Sequence, residues 1–173
     1  NKNLSAWTNG KRKFSTRLIK MKNLPGSHNH ENIGLSYACC KAVGLGNRSI
    51  IEAITTFEGL PHRLQKVATR AGVTYINDSK VSNIDSGVKA LCTFSNIHWI
   101  CGGQEKKGSV AILKQNSKLI KKAYIIGENP KKFASKIGEI PYILCGSMEN
   151  AVKYAENMAV PGDIVLLSPG AAS

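Results

Sequence analysis

From Val73 onward the chain alternates between two kinds of pattern. Short apolar runs, "VTYIN", "IHWICGG", "KAYIIG", "PYILCG" and "DIVLLSPG", are separated by longer stretches with apolar residues at helical spacing. The runs are apolar throughout and rich in β-branched and aromatic residues, which predicts five strands buried on both faces. The stretches between them predict helices near 83–94, 109–119, 130–138 and 148–159. Strand and helix in alternation predict an α/β domain, doubly wound, with a mainly parallel sheet and helices on both faces.

Upstream the rhythm differs. A helix is predicted from about Asn29 to Val43, with Ile33, Tyr37 and Cys40 on one face and Gly44 as its stop. A second runs from about Arg48 to Phe57, with Asn47 as N-cap and Ile50, Ile51, Ile54 and Phe57 on its apolar face. The stretch "EGLPHRLQKV" breaks the pattern and predicts no element. Residues 1–24 stand apart: Phe14, Leu18 and Met21 punctuate a charged stretch that reads as one or two strands of a preceding sheet. "NLPGSHN" is the boundary that follows.

Composition narrows the class. A chain of 173 residues with 42% hydrophobic and 20% charged residues predicts one globular domain with a piece of another. Its first residue, Asn1, and its last stretch, "LLSPGAAS", read as the ends of a fragment. No apolar run is long enough to span a bilayer, and no signal peptide is visible, so a cytoplasmic protein with no membrane partner is expected. The five cysteines, Cys39, Cys40, Cys92, Cys101 and Cys145, show no C-x-x-C spacing; four of the five sit in apolar surroundings, which reads as buried free thiols. The net charge of +13 raises nucleic-acid binding, but aromatics are only 6% and the lysines are scattered. A solvated lysine surface, or a field drawing small anions, fits the pattern better.

In a doubly wound sheet, ligands gather beyond the carboxyl ends of the strands. "NDSKVSN" follows the first strand there, bringing Asp78, Lys80 and Ser82. Ser82 with Asp85 also fits a helix-capping pattern. "CGGQEKKG" follows the second strand and offers Lys106 or Lys107 to an anion, although a glycine turn with solvated lysines would look the same. "LLSPGAAS" brings Ser168 and Ser173 to the same rim. On the first predicted helix, Asn29 and Asn32 share a face, where amides cap helices or meet a purine edge. Arg63 in "GLPHRLQ" could clamp a phosphate through two hydrogen bonds. His28 and His30 have no third ligand nearby in sequence and read as non-metal residues. Neither a triphosphate-binding G-x-x-x-x-G-K-[ST] loop, nor a dinucleotide G-x-G-x-x-G, nor a G-x-S-x-G elbow is present.

The ordered set "HNHEN", "GLPHR", "NDSKVSN", a strand ending in "GG" with a lysine soon after, and "GDIVLLSPGAAS" resembles the C-terminal part of the Mur ligases. "LPHR" and "NDSK..N" are similar to the branch that adds D-glutamate. The resemblance covers about Pro25 to Ser173 and implies a Rossmann-like C-terminal domain over 25–173, with 1–24 as the tail of a central ATPase domain. It implies an ATP-dependent amide-bond ligase of peptidoglycan synthesis, monomeric and without nucleic acid. The carboxylate of UDP-N-acetylmuramoyl-L-alanine is phosphorylated, and the amine of D-glutamate attacks the acyl phosphate. By the resemblance, Asn29 and Asn32 lie at the adenine, Arg63 at a phosphate and Asp78 at the ribose of ATP. Lys80 and Ser82 line the D-glutamate site, while Lys106 and Ser173 meet its two carboxylates. The phosphate loop, the Mg2+ ligands and a modified lysine belong to the central domain, so this stretch holds no catalytic residue and no metal and is inactive alone. Ser82 stands where the family has threonine, and Val81 where alanine is common. The rival readings are another Mur or folylpolyglutamate-type ligase, and a basic module that binds nucleic acid.

Overall fold

The computed structural model describes residues 23–82, 84–103 and 116–170, with the side chains of Ile84 and Asp85 left out. The expected strands over 1–24 and most of the expected helix over 109–119 lie outside the described residues. What is described divides into two compact units, one ending at Gly59 and one beginning at Leu60.

Among its described residues the first unit holds two helices, α1 (Ser27–Ala42) and α2 (Asn47–Thr56). Both begin close to their expected starts. Ile33 and Ile50 are their buried residues. Ile51 and Phe57, expected on the apolar face of α2, are 38% and 43% exposed, so that face is narrower than its spacing predicts. Gly44, after α1, has a φ of +88° and lets the chain reverse, as its place in the sequence predicts.

The second unit is a six-stranded sheet. Its strands are β1 (Gln65–Arg70), β2 (Val73–Asn77), β3 (Ile97–Gly102), β4 (Ile120–Ile126), β5 (Tyr142–Leu144) and β6 (Ile164–Leu167), in the order β1-β2-β6-β3-β4-β5. The five expected strands all run parallel to one another. The sixth, β1, pairs antiparallel with β2 through Ala71 and Gly72, both at positive φ. A two-residue loop of that kind matches the twist of a hairpin.

Among the described residues three α-helices flank the sheet: α3 (Ile84–Leu91), α4 (Pro130–Ala134) and α5 (Met148–Met158). α4 ends four residues before its expected end at 138. Beyond it the chain continues in turns closed by Lys136 N–H to Phe133 O and Ile137 N–H to Ala134 O. Residues alternate across the sheet into two cores. Trp99, Cys101, Ile125 and Leu166 join Val88, Leu91, Phe133 and Ile137 on one face. Ile100, Tyr124 and Val165 join Ala151 and Ala155 of α5 on the other. With both faces covered, all six residues of β3 are buried, which is why the run reads as apolar throughout. Of the cysteines, all free, only Cys101 and Cys145 are buried. Cys39 and Cys92 are exposed and Cys40 is half-buried, so the expectation of buried thiols, four of them in apolar surroundings, is corrected to two. No described helix is long and apolar enough to cross a membrane.

A polar cluster sits inside the second core, at the amino ends of the strands. His98 Nε2 lies 3.1 Å from Asp163 Oδ2, and its Nδ1 lies 2.9 Å from the Tyr124 hydroxyl. Lys121 Nζ donates to Asp163 Oδ1 at 2.6 Å, and the Val160 N–H donates to Oδ2 at 3.0 Å. His98 and Asp163 are buried.

Candidate functional site

The opposite end of the sheet, where β2, β3 and β6 finish, is the rim that the topology offers to ligands. Backbone bonds tie its loops together. The Asp78 N–H donates to Leu167 O at 2.8 Å, the Ser168 N–H to Ile100 O at 3.1 Å, and the Gly102 N–H to Pro169 O at 2.9 Å. "NDSK", "CGG" and "SPG" therefore leave the sheet side by side, as the strand pattern predicts.

The loop before β1 folds over this rim. The Lys80 N–H donates to His62 O at 3.2 Å, and the Leu64 N–H donates to Asp78 Oδ1 at 3.0 Å. His62 Nδ1 lies 3.1 Å from Asn77 Nδ2, and the Ser79 N–H donates to Asn77 Oδ1. The stretch "LPHRL" is thus bound to the turn "NDSK" from both ends, with Arg63 exposed between them. Helix α3 starts just beyond. Its Gly87 has no Cβ, and one placed there would come within 3.6 Å of Gly170 Cα and Ser168 Oγ, so the helix rests closely on the "SPG" loop.

Asp78 is the centre of this arrangement and is only 5% exposed. Oδ1 takes the Leu64 N–H, and Oδ2 takes the Ser168 hydroxyl at 3.2 Å. Burial pushes its carboxyl above the ordinary value, and the two hydrogen bonds and the charge of Arg63 only partly oppose this. The folded state therefore holds a proton on Asp78 more tightly than the unfolded chain does. The stability tied to this group is full below the unfolded value and is lost as pH rises through the folded one. At neutral pH its charge is a cost. Asp78→Asn keeps the shape and can keep both contacts, so its thermal midpoint at pH 7 should equal or exceed that of the parent. A clear fall in a calorimetric scan would contradict this.

Arg63, Asp78, Lys80 and Ser82 all belong to this rim. Lys80 and Ser82 are exposed. Asn29 and Asn32 belong to the first unit. There the Asn32 amide donates to Asn29 Oδ1 at 3.3 Å, so the two share a face as expected, and Asn29 Nδ2 donates to Pro25 O at 2.7 Å. Lys106, Lys107 and Ser173 lie outside the described residues. One contributor, His62, was not singled out by sequence reasoning, and another, Ser168, was expected at the rim but without a partner. His62 stands beside Arg63 in "GLPHR" and binds the turn through its carbonyl and its ring. Ser168 read as part of a turn, yet it is fully buried and bonded to Asp78. A serine directly after a buried strand was the available signal.

A family model described as Mur ligase, glutamate ligase domain, matches residues 62–170. The chain is 48% identical to the UDP-N-acetylmuramoylalanine–D-glutamate ligase of Jannaschia sp. (strain CCS1) over 170 residues, covering 98% of this chain and 37% of that protein. The protein of the same description from Cereibacter sphaeroides (strain ATCC 17025) is 45% identical over the same shares. The chain thus spans little more than a third of these curated relatives. Among solved structures, UDP-N-acetylmuramate-alanine ligase MurC of Thermotoga maritima aligns with a TM-score of 0.71 at 18% identity, covering 94% of this chain and 38% of that one. The bifunctional folylpolyglutamate synthase/dihydrofolate synthase of Yersinia pestis aligns with a TM-score of 0.68 at 18% identity, covering 94% and 39%. At such identities these two speak for the fold alone. A parallel sheet with its loops gathered on one rim, a family match over most of that sheet, and high identity along almost the whole chain lead to one assignment: the chain belongs to the Mur ligase family and carries its glutamate ligase domain.

Proposed function

We propose that this chain is the C-terminal domain, contacting D-glutamate and nucleotide, of an ATP-dependent ligase that adds D-glutamate to UDP-N-acetylmuramoyl-L-alanine. The observation that carries the reading is identity of 44–48% to UDP-N-acetylmuramoylalanine–D-glutamate ligases along nearly the full chain. Residues 1–24 then close the central ATPase domain, and 25–173 form the C-terminal one. The whole enzyme makes the acyl phosphate of the muramoyl-alanine carboxylate, and the D-glutamate amine displaces phosphate from it. We assign Asn29 and Asn32 to the adenine side, Arg63 to a phosphate and Asp78 to the ribose side. Lys80, Ser82, Lys106 and Ser173 are assigned to D-glutamate.

The rim fits an anionic ligand: Arg63 and Lys80 are exposed there, while the one buried carboxylate faces inward. It does not fit Mg2+. Both Asp78 oxygens are engaged, and no group of three His, Cys, Asp or Glu among the described residues could hold a metal. Ligands for the Mg2+ that accompanies ATP are therefore assigned to the rest of the enzyme. The enzyme is placed in the cytoplasm as a monomer, where free thiols persist.

The test is D-glutamate-dependent phosphate release by the intact ligase given ATP and UDP-N-acetylmuramoyl-L-alanine. D-Glutamate is small and doubly charged, so a few charge-assisted contacts must supply its affinity. Losing one partner of such a pair costs roughly 2–5 kcal/mol. Lys106→Ala should therefore raise the KM for D-glutamate at least about thirtyfold while leaving that for ATP nearly unchanged. Lys107→Ala should be mild. A defect in Lys107→Ala alone would move the assignment by one residue, and a defect in neither would remove D-glutamate from this loop.

A further inference from the structure

Arg63 sits between two residues in an unfavourable backbone conformation. His62 has a φ of 64° and Leu64 a φ of 45°, both in the left-handed region. Residues with a Cβ stay there only when their surroundings hold them. Beside the His62 contacts to Gln65 and Asn77, two backbone donors tie the pair to the "NDSK" turn: Lys80 N–H to His62 O, and Leu64 N–H to Asp78 Oδ1. The second works only if the Asp78 carboxylate is itself fixed. Its other oxygen accepts the Ser168 hydroxyl. Ser168 is held in turn by the sheet. Its N–H donates to Ile100 O at 3.1 Å, and its carbonyl accepts the indole N–H of Trp99 at 2.8 Å. A continuous path therefore runs from the centre of the sheet through Ser168, Asp78 and Leu64 to the exposed guanidinium of Arg63.

We infer that Ser168 is a positioning residue for the nucleotide side of the site: its hydroxyl aims the Asp78 carboxylate at the Leu64 amide and so presets Arg63 for a phosphate-bearing ligand. The inference rests on the role proposed above for Arg63 and adds the residue that acts through it. Without the hydroxyl, the carboxylate can turn away, the strained loop relaxes, and Arg63 must be ordered by the ligand itself. Preorganisation lost in this way appears as weaker binding. Lys80, assigned to D-glutamate, meets the loop through its backbone N–H at His62 O, and its side chain is not a step of the path.

The experiment uses the intact ligase. A hydrogen bond to a charged group is worth about a tenfold change or more, so Ser168→Ala should raise the KM for ATP by about tenfold. The KM for D-glutamate should rise much less than that for ATP, because the path from Ser168 to Arg63 passes through no side chain assigned to D-glutamate. In an Arg63→Ala background, Ser168→Ala should add nothing further to the KM for ATP. Hydrogen exchange at the Leu64 amide should quicken about tenfold in Ser168→Ala, while the amides of Ile100 and Ile125 keep their protection. Equal losses for both substrates, multiplying losses in the double variant, or unchanged exchange at Leu64 would each overturn the inference. If the unaltered ligase shows no D-glutamate-dependent phosphate release, the functional reading falls, and the exchange measurement alone then decides whether Ser168 holds the loop.

Discussion

Asp163→Ala should cost the fold about 2 kcal/mol or more, because it strands the buried His98 donor, at roughly 1–3 kcal/mol, and removes the acceptor of a part-buried N–H. The carboxylate is 2% exposed and accepts from three groups on different parts of the chain: Lys121, His98 and the Val160 N–H. With its Nε2 protonated and its Nδ1 accepting from the Tyr124 hydroxyl, a neutral His98 is fully paired. Burial, with Cys145 and Asp163 nearby, pushes the Tyr124 phenol up to about 12, so it remains a donor. Removing the carboxylate leaves the buried His98 ring without its partner, while the part-buried Val160 N–H can turn to water. Lys121 is 42% exposed and can return to water, so little of the loss comes from its charge. Asp163→Asn would be milder, although its amide must face either Lys121 or His98 with the wrong hydrogens. The pH dependence follows from the same contacts. Burial alone would push the Asp163 carboxyl up, but the bonds from Lys121, Val160 and His98 and the Lys121 charge outweigh it and hold the group below its ordinary value. The stability tied to it is therefore present above the unfolded carboxyl value and is lost as pH falls through the depressed folded one. Denaturant titrations from neutral to acid pH should show the parent losing that advantage and the alanine variant lacking it throughout. A variant within about 0.5 kcal/mol of the parent at pH 7 would mean the cluster carries no weight.

The central strands could be read because they are covered on both faces; of the two edge strands, β5 was read from its apolar run although Tyr142 and Leu144 are 48% and 40% exposed, against the expectation of burial, and β1 was not read at all. β3 is apolar because every residue in it is covered. β1 pairs on one side only, and its single large apolar residue, Val67, is 63% exposed, so "QKVATR" reads like the polar loop before it. Apolar spacing misled at the end of α4. Phe133, Ile137 and Ile140 all enter the core, but the last two do so from turns, since burial needs a position and not a helix. At the rim, strand ends told where the loops would gather. They could not tell that the Asp78 carboxylate turns inward, because its partners stand 14 and 90 positions away. The same distance hid His98 and Asp163, which are 65 positions apart, one inside an apolar run and one in a turn sequence. Polar residues that pair across a sheet leave no local pattern, so the buried polar cluster emerges only once the strands are in register.

Gly102→Ala should be more damaging than any other glycine substitution on the described rim. Gly102 ends β3 at a φ of +111°, and a Cβ built there would lie 2.1 Å from Ile126 O, where ordinary contact begins at 3.4 Å. The obstacle is backbone of the paired strand, which cannot swing aside like a long side chain. The neighbouring position is closed as well, since a Cβ on Gly127 would lie 2.8 Å from Gly103 N. β3 and β4 therefore leave the sheet through a crossing that only glycine permits. Alanine must carry the cost of overpacking, about 1–3 kcal/mol, and that of a forbidden backbone angle, on the order of 1–3 kcal/mol. Gly138 supplies the control. Its φ is +67° and nothing lies within 4 Å of its Cβ position, so Gly138→Ala bears the conformational cost alone. Thermal midpoints of both variants in the intact ligase separate the two costs. Gly102→Ala should lose at least twice as much as Gly138→Ala, by about 2 kcal/mol of added overlap. The crossing also launches the loop to which Lys106 is assigned, so surviving Gly102→Ala enzyme should show a raised KM for D-glutamate, which Gly138→Ala should not. Equal midpoints for the two variants would mean that β4 yields at Ile126 and that the crossing is not the constraint its geometry describes.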